Sequence, residues 1–227
     1  MKGVRFRELR DVGDPVELGE AYSDAGADEL VFLDVQATVD GRRTLVDLVC
    51  HVAERLAIPF TVGGGVRSYA DAEELLAAGA DKVGVNSAAL ARPELLSELA
   101  DRLGSQAVVI AIDVEGGRVR SRAGTTETGR DAVAWAREAE ERGAGEVLLT
   151  SIDADGTRAG YDLELTASVA AAVDIPVIAS GGAGNARHVA DALGVAQAAL
   201  LASILHEDAA RLGSLRAELR ELGVPVR

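Results

Sequence analysis

Leu148-Leu149-Thr150-Ser151-Ile152-Asp153-Ala154-Asp155-Gly156-Thr157-Arg158-Ala159-Gly160-Tyr161-Asp162 changes character within a few residues. With Glu146-Val147 ahead of it, the apolar start reads as a buried strand, which then breaks into hydroxyls, two carboxylates and glycines. Strands of parallel sheets are apolar along their length, and the loops at their carboxyl ends carry the chemistry. The stretch therefore reads as a strand that delivers polar groups to a site. Gly156 and Gly160 allow a sharp turn or the close approach of a ligand.

The same arrangement occurs earlier, where Leu30-Val31-Phe32-Leu33-Asp34 runs into Gln36, Thr38, Asp40 and Gly41. Val62-Gly63-Gly64-Gly65 has a counterpart in Ser180-Gly181-Gly182-Ala183-Gly184, and Val83-Gly84-Val85-Asn86-Ser87 has one in Leu200-Leu201-Ala202-Ser203. Asp34 and Asp153, Gly63 and Gly181, and Ser87 and Ser203 stand 119, 118 and 116 residues apart. Three near-equal spacings in one order indicate an internal duplication of half the chain. The second half starts near residue 105.

Taken in order, strands are expected at 29–34, 60–62, 82–85, 107–112, 146–150, 177–180 and 198–201. Helices are expected between them, with Asp14-Pro15, Ser68 and Asn185 as start signals and Gly26, Gly79, Gly104 and Gly143 as stops. The segment from Gly116-Gly117 through Thr125, Thr126 and Thr128 reads as a polar loop. This βα rhythm predicts an α/β fold of the TIM (β/α)8-barrel family, one domain over residues 1–227, rather than a doubly wound sheet. The count is one strand short. The repeat partner of the strand ending at Asp113 would precede Met1, so the first strand is expected to be missing, leaving edges at 29–34 and 198–201 that invite self-association.

Composition narrows the function classes. The 227 residues suffice for one large core, and no run of 18 apolar residues or secretory apolar region is present, which predicts a cytoplasmic protein. A net charge of −14, from 37 acids and 23 bases, disfavours nonspecific binding to nucleic acid or an anionic membrane. Cys50, the single cysteine, excludes an intrachain disulfide and reads as a small buried side chain on a helix.

The glycine clusters at 63–65 and 181–184 each follow a strand and precede a helix, where backbone N–H groups favour an anion. Paired clusters suggest a ligand with a phosphate at each end, and Asn86-Ser87 and Ala202-Ser203 can add donors. The acid–base candidates are Asp34, Asp113, Asp153 and Asp155 at strand ends. Asp113 ends an uninterrupted apolar run and is read as catalytic; Asp34 and Asp153 are read equally as structural caps. His51, His188 and His206 lie on helical stretches without metal-ligand spacing, and Trp135 reads as a packing residue. Neither a metal nor a cofactor is expected.

Taken together, Glu29–Asp34, Phe60–Gly65, Asp81-Lys82-Val83, Gln106–Val109, the opening stretch and Ala179–Gly184 resemble the cyclase subunit of imidazole glycerol phosphate synthase. The resemblance runs in order over nearly the whole chain. It implies a barrel that uses ammonia to cleave and cyclise an open-chain aminoimidazole carboxamide ribonucleotide with two phosphates, in histidine biosynthesis. It further implies a glutaminase partner docked on the amino-terminal face. By this resemblance Gly65, Asn86 and Ser87 hold one phosphate, and Asp155, Gly156, Gly182, Ala202 and Ser203 the other. Asp113 matches a catalytic aspartate, and Lys2 the lysine of the first loop. Glu29, Lys82 and Glu146 match the charged ammonia entrance, with Asp81 beside the glutaminase dock. The family's second essential aspartate and the entrance arginine stand on its first strand, so cyclisation by this chain is expected to be impaired. Three readings follow: a cyclase, a non-catalytic phosphate-binding and self-associating barrel, and an isomerase-like enzyme acting on a similar two-phosphate ligand.

Overall fold

The alternation in the sequence becomes, in a computed structural model of the chain, one parallel sheet flanked by helices. The structure describes residues 2–4, 7–10, 13–34, 46–206 and 208–226. A small antiparallel pair, β1 (Lys2–Val4) and β2 (Arg7–Arg10), precedes α1 (Pro15–Asp24) and β3 (Leu30–Leu33). Next come α2 (Val46–Ala53), β4 (Phe60–Gly63), α3 (Tyr69–Ala77), β5 (Lys82–Val85), α4 (Ser87–Ala91) and α5 (Glu94–Leu103). The second half runs β6 (Val108–Glu115), β7 (Arg118–Ser121), β8 (Thr126–Asp131), α6 (Ala132–Glu141) and β9 (Glu146–Ser151). It ends with α7 (Leu163–Ala170), β10 (Val177–Ser180), α8 (Ala186–Leu193), β11 (Ala198–Ala199) and α9 (Arg211–Glu221).

Seven parallel strands lie side by side in the order β11-β10-β9-β6-β5-β4-β3. Neighbours in chain order are neighbours in space, as helical crossovers in a barrel require. One face of each strand packs on the helices: Val83, Val85, Val108, Ile110, Ile112, Val147 and Leu149 belong to the main core with Leu95, Leu99 and Trp135. Alternation sends the intervening residues to the inner face, where Val109 pairs with Glu146, Ala111 with Leu148 and Asp113 with Thr150. The caps act as their residue types predict. Asp14, Ser68 and Asn185 each accept a backbone N–H in the first turn of α1, α3 and α8.

Several expectations need correction. The segment after Gly116-Gly117 is an antiparallel hairpin, β7 and β8, annexed to β6, and not a loop. Both glycines have positive φ, +57° and +76°, as a tight hairpin turn demands. The N-terminal residues read as loop form the β1–β2 pair, and a short helix, α4, starts at Ser87. Cys50 does lie on a helix, α2, but on its exposed side, because Val49 and Val52 take the core-facing stripe. His206 follows β11 in a bend outside any helix. Gln36, Thr38, Asp40 and Gly41 lie outside the described residues.

Among the described residues β3 and β11, the two outer strands, do not pair with each other. The seam between them is spanned from outside the sheet. Tyr22 on α1 places its hydroxyl 2.6 Å from His206 Nδ1, and Arg216 on α9 reaches Asp28, just before β3, at 2.9 Å. Tyr22, Leu212, Leu215 and Leu219 form a second apolar cluster there with Ile204, and Leu30 packs on both clusters. Side chains of helices thus bring the outer strands near each other without a ladder between them. Leu33, on the inner side of β3, stays 42% exposed.

Candidate active site

The carboxyl ends of the strands collect the polar residues. Asp113 in β6 is in register with Thr150 in β9, which is in register with Ser180 in β10. All three therefore share one level of the inner face. Asn86, directly after β5, donates from Nδ2 to Asp113 Oδ2 at 2.8 Å. Burial above all, and the charge of Asp155 after it, push the Asp113 carboxyl up to about 7 against the opposing pull of the Asn86 bond. A carboxyl near half-protonation at neutral pH can either hold or surrender a proton.

The two glycine loops flank this level. At the first, Gly64 and Gly65 have φ of +101° and +74°, and a side-chain carbon on Gly64 would lie 2.2 Å from the Asp34 carbonyl oxygen. Ser87 begins α4, and its hydroxyl accepts from the Arg122 backbone N–H at 2.8 Å, tying the β7–β8 hairpin to this site. The other end of the hairpin is held by Asp153, whose carboxylate accepts from Gly116 N–H at 2.7 Å. That contact makes Asp153 an anchor of the hairpin. Asp34 is buried with its N–H on the Gly63 carbonyl at 2.8 Å.

At the second loop, the chain after β9 folds onto the chain after β10. A carbon on Gly181 would meet Ser151 O at 2.6 Å, one on Gly182 would meet Gly160 O at 1.9 Å, and one on Gly184 would meet Arg158 O at 2.2 Å. These glycines are needed for loop-to-loop contact before any ligand is considered. Gly156 has a φ of +72°. Ala202 and Ser203 follow β11, and the Ser203 carbonyl accepts from the Arg158 guanidinium at 3.1 Å. The loop after β9, through Asp155 and Arg158, thus meets Gly181 and Gly184 after β10 and Ser203 after β11, while Gly65, Asn86 and Ser87 follow β4 and β5 on the other part of the sheet.

Glu29, Lys82 and Glu146 meet at the other end of the sheet. Lys82 opens β5, and its Nζ contacts Glu29 Oε2 at 3.0 Å and Glu146 Oε1 at 2.5 Å. β3 and β9 each lie two strands away from β5, a span of roughly 9.5 Å in a flat sheet. One ammonium reaches both carboxylates because the sheet curls around it. Burial works to lower the Lys82 pKa, but the bonds to Glu146 and Glu29 outweigh it and leave the group above its ordinary value. Glu146 Oε2 is buried and without a hydrogen-bond partner among the described residues. Asp81 lies at this face too. One of its oxygens accepts from Phe60 N–H at 2.7 Å, beside a cavity of about 360 Å³ lined by Leu56, Ile58, Pro59 and Gly79.

Lys2 falls in β1, and its side chain lies outside the described residues. Trp135 is fully buried in the core, with the Arg130 guanidinium 4.5 Å from its ring. No group of three or more metal-ligating side chains occurs among the described residues, and no helix there is long and apolar enough to cross a membrane. Sequence reading had not assigned Thr150, Ser180 or Arg158. The first two were open to it, since counting in twos from Glu146 puts Thr150 on the face that carries Asp113.

A curled parallel sheet with its acid–base and glycine-loop residues at the carboxyl ends defines a protein of the TIM-barrel class. A profile of the family described as Histidine biosynthesis protein matches residues 1–211, and the chain belongs to that family. It is 57% identical over 233 residues to imidazole glycerol phosphate synthase subunit HisF of Acidobacterium capsulatum, covering 100% of this chain and 92% of the relative. Its identity to the HisF subunit of Trichormus variabilis is 54% over 237 residues, covering 100% and 92%, and to that of Geobacillus thermodenitrificans 54% over 235 residues, covering 100% and 93%.

Proposed function

We propose that the chain acts as a cyclase subunit of imidazole glycerol phosphate synthase, converting an aminoimidazole carboxamide ribonucleotide with two phosphates to imidazole glycerol phosphate with ammonia. The observation that carries this reading is the placement of Asp113, its pKa raised to about 7, between two glycine loops in a chain so similar to HisF subunits. Gly65, Asn86 and Ser87 hold one phosphate; Asp155, Gly156, Gly182, Ala202 and Ser203 hold the other. Asp113 moves the proton. Addition of ammonia releases a proton and cleavage of the carbon–nitrogen bond consumes one, so a single group poised near neutrality serves both steps.

Glu29, Lys82 and Glu146 form the ammonia entrance at the amino-terminal face, and the glutaminase partner docks there beside Asp81. Titrating the two-phosphate ribonucleotide into the chain is expected to show saturable binding that Ser203→Asp abolishes, because a carboxylate there repels the phosphate. Unaltered affinity in the variant overturns the reading.

A second proposal rests on the sheet edges. β3 and β11 carry no mutual ladder among the described residues, and Leu33 is exposed. Unpaired, apolar edges recruit other strands, so the chain self-associates. Light scattering is expected to show a mass that rises with concentration; a constant monomer mass over a hundredfold range contradicts this.

A further inference from the structure

The ladder between β6 and β9 ends at Val114 and Ser151, and Ile152 N–H still reaches the Val114 carbonyl at 2.8 Å. Beyond that point the two chains part. β6 turns at Gly116-Gly117 into the hairpin, and the chain after β9 folds into a turn in which Asp155 N–H donates to the Ser151 carbonyl at 3.0 Å. Asp153 lies inside that turn, and its carboxylate accepts from Gly116 N–H at 2.7 Å. A side chain thus supplies the next rung where the backbones no longer pair, and the charge on its oxygen makes the bond stronger than a neutral one. The rung sits close to the chemistry at both ends. Asp113 stands three residues before Gly116, and Asp155 two residues after Asp153.

We propose that Asp153 is a positioning residue for Asp113, holding the end of β6 against the turn that carries Asp155. The role of this placement in turnover rests on the reading of Asp113 as the proton-transfer group. Burial, first, and the charge of Asp155, second, raise the Asp113 carboxyl, and both depend on how closely the two chains stay together. The other groups that face Asp113 are Asn86 after β5, which donates to it at 2.8 Å, Thr150 in register on β9, and Arg120 opposite it on β7. Arg120 is turned to Glu115 at 2.7 Å and to Glu127 at 3.5 Å. Asp153 itself is exposed and acts through its bond to Gly116, not by touching a ligand.

The test is an NMR titration of the Asp113 carboxyl carbon in the ligand-free chain, in the parent, Asp153→Ala and Asp153→Asn. Asp153 is exposed, so neither substitution disturbs the core. Alanine removes the acceptor and is expected to lower the Asp113 midpoint by roughly half a pH unit or more, as water and distance weaken both influences. Asparagine removes the charge but keeps an oxygen for the Gly116 N–H, so its midpoint is expected to stay with the parent's. Equal falls in both variants would mean that Asp153 acts through its charge, and no fall in either that the bond is idle; each result overturns the proposal. Ammonium-dependent turnover should carry the same signature. The limb of the pH–rate profile set by Asp113 moves down in the alanine variant, whereas loss of a merely structural contact lowers turnover evenly at every pH. If the midpoint moves as stated while the parent fails to turn over the two-phosphate ribonucleotide, the cyclase reading falls and the placement of Asp113 by Asp153 stands.

Discussion

Asp113→Asn is expected to lower ammonium-dependent turnover by about 100- to 10,000-fold, the usual contribution of a positioned proton-transfer group. Affinity for the two-phosphate ligand should change by only a few-fold, because the amide keeps the shape that Asn86 contacts. Asp113 also predicts its own cost to the fold. Its folded-state pKa is raised to about 7, above the ordinary carboxylate value near pH 4. A group raised in this way favours folding below its unfolded pKa and loses that contribution as pH rises through the folded value. Asp113→Asn should therefore match the parent in stability near pH 4 and exceed it by about 1 kcal/mol above pH 7. Urea melts at both pH values check this. A gain at pH 4 equal to that at pH 8 contradicts the raised pKa.

This coupling of activity and instability follows from how Asp113 is built in. The apolar run Val108–Ile112 makes β6 a central strand, with Ile110 and Ile112 against the helices and Ala111 inward. The next inward position falls where the strand leaves the core, so the carboxyl is half-buried rather than sealed. Asn86 and Asp155 arrive from the strands on either side, one stabilising the anion and the other opposing it. A hairpin then grows from the end of the same strand, with Asp153 and Ser87 gripping it at either end.

The barrel class was legible because apolar four- to six-residue runs ending in Asp or Gly-Gly recur at a spacing that only βα units produce. The repeat offsets placed the two glycine loops on opposite parts of the sheet, and the structure puts them there. The hairpin was not legible. Arg118-Val119-Arg120-Ser121 carries one apolar residue, and its turn glycines read equally well as loop glycines, so its pairing is set by β6 and not by its own sequence. Cys50 was misplaced for a related reason. Its neighbours Leu48, Val49 and Val52 are apolar, but helical period gives the buried stripe to Val49 and Val52. The left-handed backbone of Arg158 left no sequence signal at all, because it sits where its carbonyl meets Gly184 from another loop. Long-range contacts of that kind require coordinates.

Lys82→Met is expected to be the most destabilising single change at the amino-terminal end, by about 2–3 kcal/mol. Lys82 is 15% exposed and Glu146 19%, so the methionine would leave Glu146 as an unpaired, half-buried charge, with Oε1 losing its lysine and Oε2 already lacking a partner among the described residues. Glu29, at 45% exposure, can turn to water and should contribute little of the loss. The double variant Lys82→Met/Glu146→Gln removes the stranded charge and should recover at least about 1 kcal/mol, a coupling that a double-mutant cycle reads directly. Because these residues lie at the opposite ends of their strands from Asp113, ligand affinity at the carboxyl-end site should be unchanged in both variants. If the proposed ammonia entrance is right, glutamine-dependent turnover with the glutaminase partner falls more than turnover with added ammonium salts. Equal losses with both nitrogen sources would leave the three residues as a structural ion cluster, whose curl-spanning lysine holds β3, β5 and β9 in register and conducts nothing.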